Sequence, residues 1–183
     1  MYQKENKVSD SMSHREEILQ HISKNPGITF RRLSDELGIG IGNLQYHLYQ
    51  LEKEGMIVSK KLGGRRYIFP KEFEKEYEPL LIAISNETQR KILLLLAEGE
   101  MNQREIAERL KLTQATINYH MNILSKLGLI DKRKQGRNVV YSLKCDIEVI
   151  VRVISEYRPK LWDKLADRLI DLMLTLRGGE LND

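Results

Sequence analysis

The sequence predicts a mainly α fold with small β-hairpin wings, arranged as two tandem copies of one module and closed by C-terminal helices. Three observations predict it. The first is a repeat: Leu44-Gln45-Tyr46-His47-Leu48 and Ile117-Asn118-Tyr119-His120-Met121 match in type, residue for residue. The register continues with Leu51 against Leu124, Lys53 against Lys126, Gly55 against Gly128, Ile57 against Ile130 and Lys61 against Lys134. An offset of about seventy residues is too long for a solenoid repeat and suits a small duplicated module. The second is the hydrophobic period, which in each copy changes from helical spacing to about two just after the matched glycine. The third is Gly63-Gly64, a pair that tolerates positive φ at both positions and so favours a two-residue hairpin turn.

The chain of 183 residues has length for one domain or two small ones, and the duplication favours two. A hydrophobic share of 41% suffices for packed cores, although one such module alone is marginal. A net charge of +4 is compatible with a polyanionic partner, as it is with many other soluble proteins. No apolar run approaches the roughly 20 residues of a membrane span. The N-terminus has no signal-peptide core, so a cytoplasmic location and no membrane partner are expected. One cysteine, Cys145, excludes an internal disulfide and a multi-cysteine metal cage.

Residues 1–12 are polar and unpatterned, a flexible tail. The first module is expected over 13–71. Ser13-His14-Arg15-Glu16 has capping-box spacing, and Ile18, Leu19 and Ile22 form the apolar face of a first helix that ends near Asn25-Pro26-Gly27. Thr29 can cap a second helix carrying Leu33 and Leu37. Gly38-Ile39-Gly40 supplies a tight turn, and a third helix runs to about Glu54 with Ile41, Leu44, Leu48 and Leu51 as its apolar set. Met56 to Leu62 and Arg65 to Phe69 read as the two strands of a hairpin. Three helices followed by a hairpin make a winged helix-turn-helix, so the chain reads as two tandem winged helix-turn-helix modules plus C-terminal helices. Lys60, Lys61, Arg65, Arg66 and Lys71 lie in a stretch of the wing without an acid, a natural phosphate or minor-groove probe. A merely solvated basic hairpin is the blander alternative.

Residues 72–79 invert the charge, with Glu72, Glu74, Glu76 and Glu78, and read as an acidic linker ending at Pro79. The second module is expected over 80–145. Leu80 to Ser85 is a short apolar helix. Asn86 can cap the next, whose apolar set is Ile92, Leu93, Leu95 and Leu96. Asn102-Gln103-Arg104-Glu105 has capping-box spacing before a helix carrying Ile106, Ala107 and Leu110. Thr113 can cap the third helix, which stops at Gly128. Its core stripe is Ile117, Met121 and Leu124. Its other face holds Gln114, Ala115, Asn118, Tyr119 and Asn122 and no acid. Carboxamides can bond both the donor and the acceptor edges of a base, and a small Ala allows close approach. That is how a recognition helix reads, although an ordinary amphipathic helix with a polar face reads the same until the repeat is considered. Lys132, Arg133, Lys134 and Arg137 repeat the basic charge of the first wing.

Residues 146–183 are expected to form two C-terminal helices, the first capped by Asp146 and interrupted at Pro159. The second carries the stripe Leu161, Trp162, Leu165, Leu169, Leu172, Met173 and Leu176, and ends at Gly178-Gly179. This exceeds what one small domain needs, which points to a dimerisation element and a homodimer. Folding back onto its own module is the alternative.

Residues 80–93, Gly99-Glu100-Met101 and 113–121 resemble the ArsR-type winged-helix transcriptional regulators. The first module, with Gly42-Asn43-Leu44-Gln45-Tyr46-His47-Leu48, is similar to winged-helix modules common in archaeal regulators. The two-module layout is similar to that of the euryarchaeal activators of archaellum operons. The resemblance implies contact with double-stranded DNA from the third helix and wing. By position this points to Gln114, Thr116, Asn118, Tyr119 and Asn122 in the second module. In the first it points to Asn43, Gln45, Tyr46 and Tyr49. The third helix of module one begins Gly40-Ile41-Gly42 rather than with Ser or Thr, and so offers fewer base-reading groups.

Metal-sensing relatives carry a Cys pair on a helix of the motif, or Asp and His ligands on the C-terminal helix. Residues 146–183 contain no His and no Cys, so neither a metal nor another cofactor is expected. His47 and His120 occupy equivalent places in the two copies, which duplication explains better than catalysis does. With no phosphate loop and no nucleophile–base–orienter set, an enzyme is not expected. The rival reading is a protein-binding piece of the basal transcription machinery, with Tyr46, Tyr49 and Tyr119 as contact anchors.

Overall fold

The computed structural model describes residues 14–136 and 138–179, and within the last helix the side chains of 165–175. Ser13 of the expected capping box, the tail and Arg137 lie outside the described residues, as do the side chains of Leu161, Trp162 and Leu176. The chain divides into two compact units after Glu74.

Unit one holds α1 (residues 14–24), β1 (Ile28–Thr29), α2 (Phe30–Leu37), α3 (Ile41–Lys53), β2 (Ile57–Leu62) and β3 (Arg65–Pro70). The Thr29 hydroxyl accepts from the Arg32 amide and starts α2. Gly38 ends α2 at φ 63°, the left-handed conformation that glycine adopts without a Cβ penalty. Ile18, Ile22, Leu33, Leu44, Leu48, Leu51 and Ile68 form the sealed core. Gly63 and Gly64 both take positive φ, 56° and 72°, which matches the twist of the hairpin between β2 and β3. Ile41, expected in the core, is instead 66% exposed at the first turn of α3. The core stripe therefore begins at Leu44, one turn later.

Unit two opens with α4 (Glu78–Ile84). Pro79 stands in its first turn and Glu78 is buried. Then come α5 (Glu87–Glu98), β4 (Met101–Asn102), α6 (Gln103–Leu110), α7 (Gln114–Lys126), β5 (Ile130–Gln135) and β6 (Asn138–Leu143). The capping box is formed: Asn102 Oδ1 accepts from the Glu105 amide at 3.0 Å, and Glu105 Oε2 from the Asn102 amide at 2.7 Å. Ile117, Met121 and Leu124 are buried as the stripe requires.

The two sheets have the same strand order, β1-β3-β2 and β4-β6-β5. From the first strand of each unit onward, every boundary moves by the same 73 residues: Ile28 to Met101, Phe30 to Gln103, Ile41 to Gln114, Ile57 to Ile130, Arg65 to Asn138. The third strand of each sheet, only two residues long, was not anticipated. Two residues carry too little alternation to register as a strand, and in both copies the second doubles as a helix cap.

The C-terminal helices are α8 (Ile147–Tyr157) and α9 (Pro159–Gly179), with α8 packed on α4 and α9. Asp146 holds the cap position of α8, but its side chain makes no capping bond. Gly178 and Gly179 belong to α9 rather than ending it. Leu169 is fully buried within its own chain, so this part of the stripe folds back on its own unit. Leu165, Leu172 and Met173 are half-buried, while Ile170 and Leu174 stand 45% and 64% exposed. No described helix is long and apolar enough to cross a membrane.

Candidate nucleic-acid interface

The candidate interface comprises α7 and the hairpin that follows it. Thr113 Oγ1 accepts from the Thr116 amide at 3.2 Å and fixes the start of α7. Gln103 Nε2, from the first turn of α6, donates to the Gln114 carbonyl at 2.9 Å and so clamps the turn between the two helices. With the core stripe turned inward, Gln114, Ala115, Asn118, Tyr119 and Asn122 are all exposed. Thr116 is half-buried, its hydroxyl 2.9 Å from that of Thr113, and is better placed to shape the helix start than to reach outward.

Module one repeats this face by position, with Asn43, Gln45, Tyr46 and Tyr49 exposed on α3. Its helix start differs. Gly40 offers no side-chain cap, and where module two has Gln114, module one has the exposed Ile41. The sequence reading placed Ile41 in the core because its spacing from Leu44 and Leu48 fits helical period. Its alignment with Gln114 in the repeat was the available signal.

The duplicated histidines have a physical role in both copies. The His47 ring meets Tyr46 edge-on at 5.6 Å and His120 meets Tyr119 at 5.1 Å, so each braces the exposed tyrosine before it. His47 is nearly buried, and burial, followed by the charges of His14 and Arg15, holds its pKa below the ordinary histidine value.

The wing cations differ in exposure. Lys60, Lys61, Arg65, Lys132 and Lys134 are exposed. Arg66 is different: it bonds Glu52 of α3 at 3.0 Å and Ser59 at 2.9 Å, and lies over the Phe30 ring. These contacts anchor the wing to its own module. Arg133 is exposed but held by both oxygens of Glu100 at the end of the α5–β4 turn. This bidentate pairing holds the Glu100 carboxyl below its usual range and raises the guanidinium above its own. The sequence reading missed Glu100 because it lies 33 residues from its partner.

Comparisons with known proteins place this geometry. Residues 12–78 match a family described as an N-terminal HTH domain, and residues 86–132 match the bacterial regulatory protein, arsR family. The uncharacterized HTH-type transcriptional regulator MJ1398 of Methanocaldococcus jannaschii is 36% identical over 127 residues, 69% of this chain and 32% of its own length. A match of that length exceeds either unit and so draws on both. The chain spans only about a third of that relative. MJ1325 of the same organism, also named an uncharacterized HTH-type transcriptional regulator, is 37% identical over 86 residues, 46% of this chain and 96% of its own length. The transcriptional repressor SdpR of Bacillus subtilis is 38% identical over 65 residues, 36% of this chain and 72% of its own.

Proposed function

This chain belongs to the helix-turn-helix transcriptional regulators, with an ArsR-family module in its second half, and on that premise we propose that it binds double-stranded DNA sequence-specifically. It is a regulator, not an enzyme. The observation that carries the proposal is the exposed, acid-free face of α7 beside an exposed basic strand, with the exposed Gln45 and Tyr46 of module one at the register of Asn118 and Tyr119 on a helix that also carries Glu52. In this reading α7 enters the major groove, where Gln114, Asn118 and Asn122 meet base edges and Ala115 allows close approach. Lys132 and Lys134, with Arg137 beyond the described residues, lie along the adjacent backbone. Module one reads a neighbouring segment through Gln45, Asn43 and Ile41, whose apolar surface suits a thymine methyl. Lys60, Lys61 and Arg65 hold phosphate there.

Two variants separate reading from holding. Asn118→Ala should cost about 1–3 kcal/mol at particular base pairs and leave other sequences bound as before. Lys134→Ala should weaken all sequences alike and flatten the salt slope by about one unit. Identical behaviour of the two variants contradicts this assignment of helix and wing. Three exposed tyrosines, Tyr46, Tyr49 and Tyr119, favour a second reading in which the same faces grip a component of the basal transcription machinery. Binding that loses Asn118 without any change in sequence preference would support it. A cytoplasmic location follows from the DNA-binding reading.

A further inference from the structure

The start of α3 carries three adjacent residues that unit one does not use. Ile41 is 66% exposed and stands outside the sealed core. Gly40 and Gly42 flank it. Neither takes positive φ, and a Cβ at either would meet no non-neighbouring atom within 4 Å, so neither the backbone nor the packing of the unit calls for glycine. Both have a cost. Gly40 forgoes the hydroxyl cap that Thr113 makes at the same register of module two. Gly42 is a poorer helix former than Ala115, its counterpart. What explains the glycines comes from outside the unit, since a backbone without Cβ atoms lets a partner approach closely.

The partner follows from the chemistry of the turn and its surroundings. Module two places the carboxamide of Gln114 where module one places Ile41. The equivalent point thus changes from a side chain that bonds base edges to one that makes only apolar contact. The exposed Lys61 and Arg65 of the adjoining wing give the same module a surface suited to phosphate. In the major groove of duplex DNA the apolar group is the methyl on C5 of a pyrimidine. We propose that Ile41 reads this methyl, and that Gly40 and Gly42 let α3 come close enough for it to do so. The inference rests on the DNA-binding reading and deepens it. Isoleucine has no side-chain donor or acceptor, so it responds to the methyl and not to the base that carries it. A methyl on cytosine therefore counts as much as the methyl of thymine at that base pair. Module one thereby responds to cytosine methylation.

The test uses the full chain and one duplex that it binds, with fluorescence anisotropy as the readout. Each thymine is replaced in turn by deoxyuridine, which removes the methyl and nothing else. At least one replacement should weaken wild type about fourfold, the effect of leaving one methyl-sized group unburied, and leave Ile41→Ala unaffected. At that position deoxycytidine and 5-methyldeoxycytidine, each paired with guanine, are then compared. The methyl should tighten wild type by the same factor and Ile41→Ala not at all. Gly42→Leu should hold or raise the urea midpoint, because its Cβ has space and leucine is the better helix former, yet weaken the duplex several-fold. Deoxyuridine that weakens no position, or that weakens wild type and Ile41→Ala equally, would overturn the proposal. So would a methyl effect confined to thymine, or a Gly42→Leu chain that binds like wild type. A Gly42→Leu midpoint below wild type would contradict the claim that the unit has no use for glycine there. A chain that binds no duplex even at low salt would instead sink the DNA-binding reading, and this proposal with it.

Discussion

His47 shows how a side chain outside the contact face sets the conditions under which that face works. Its ring is nearly buried against α1 and braces Tyr46. Burial first, then His14 and Arg15, depresses its folded pKa, so the folded module binds the proton less readily than the unfolded chain. Stability is then fully present above the unfolded value of about 6.5 and is lost as pH falls toward the lower folded value. Thermal unfolding of unit one followed from pH 7.5 to 5.5 should show a falling midpoint, and His47→Gln should flatten that fall. A midpoint that rises as pH drops would contradict the assignment. At this scale the sequence was legible where a residue acts through its own helix. Asn118, Tyr119 and Gln45 stand outward as their spacing requires. It was not legible where a partner comes from elsewhere in the chain. Nothing local to Arg66 or Arg133 tells that a glutamate on another element holds each, which is why both read as outward cations.

The elements are set by short local signals that survive in the folded chain. Thr29, Asn86, Asn102 and Thr113 each accept a first-turn amide, and each was visible as a polar residue just before an apolar-periodic run. Thr113 carries the most functional weight, because it fixes where α7 starts and hence which residues face outward. Thr113→Ala should cost about 0.5–2 kcal/mol of unit-two stability, read from the urea midpoint at unchanged slope. It should also weaken specific DNA binding more than Asp146→Ala does, since Asp146 makes no capping bond and does not lie on the contact helix. Equal effects from both would argue that helix position is set by packing alone. The hairpin of unit one was equally legible, from two glycines at positions that require positive φ. The paired two-residue strands β1 and β4 were not, since their existence depends on a wing that folds back from about forty residues later.

For the whole molecule, the duplication is the main fact, and the constant 73-residue offset extends it from a few matched residues to every element of the module from its first strand onward. Beyond the repeat, α8 and α9 belong to unit two alone. With Leu169 buried in its own chain, Ile170 and Leu174 are two exposed apolar residues one turn apart among the described side chains of α9. Dimerisation through that face would present four modules to an extended, pseudo-palindromic site. Leu174→Glu should convert a dimer into a monomer in sedimentation equilibrium and halve the length of DNA protected; a wild-type chain that sediments as a monomer at every concentration would rule this out. The claim that joins all three scales is that the repeated faces read sequence. It is tested most directly by selecting bound duplexes from a random pool at roughly physiological salt, where non-specific binding is suppressed. The expected result is a defined motif with a strong segment for module two and a weaker adjoining segment, containing A·T pairs, for module one. Recovery of no motif, with binding that disappears as salt rises, would contradict the claim and leave these faces to a protein partner.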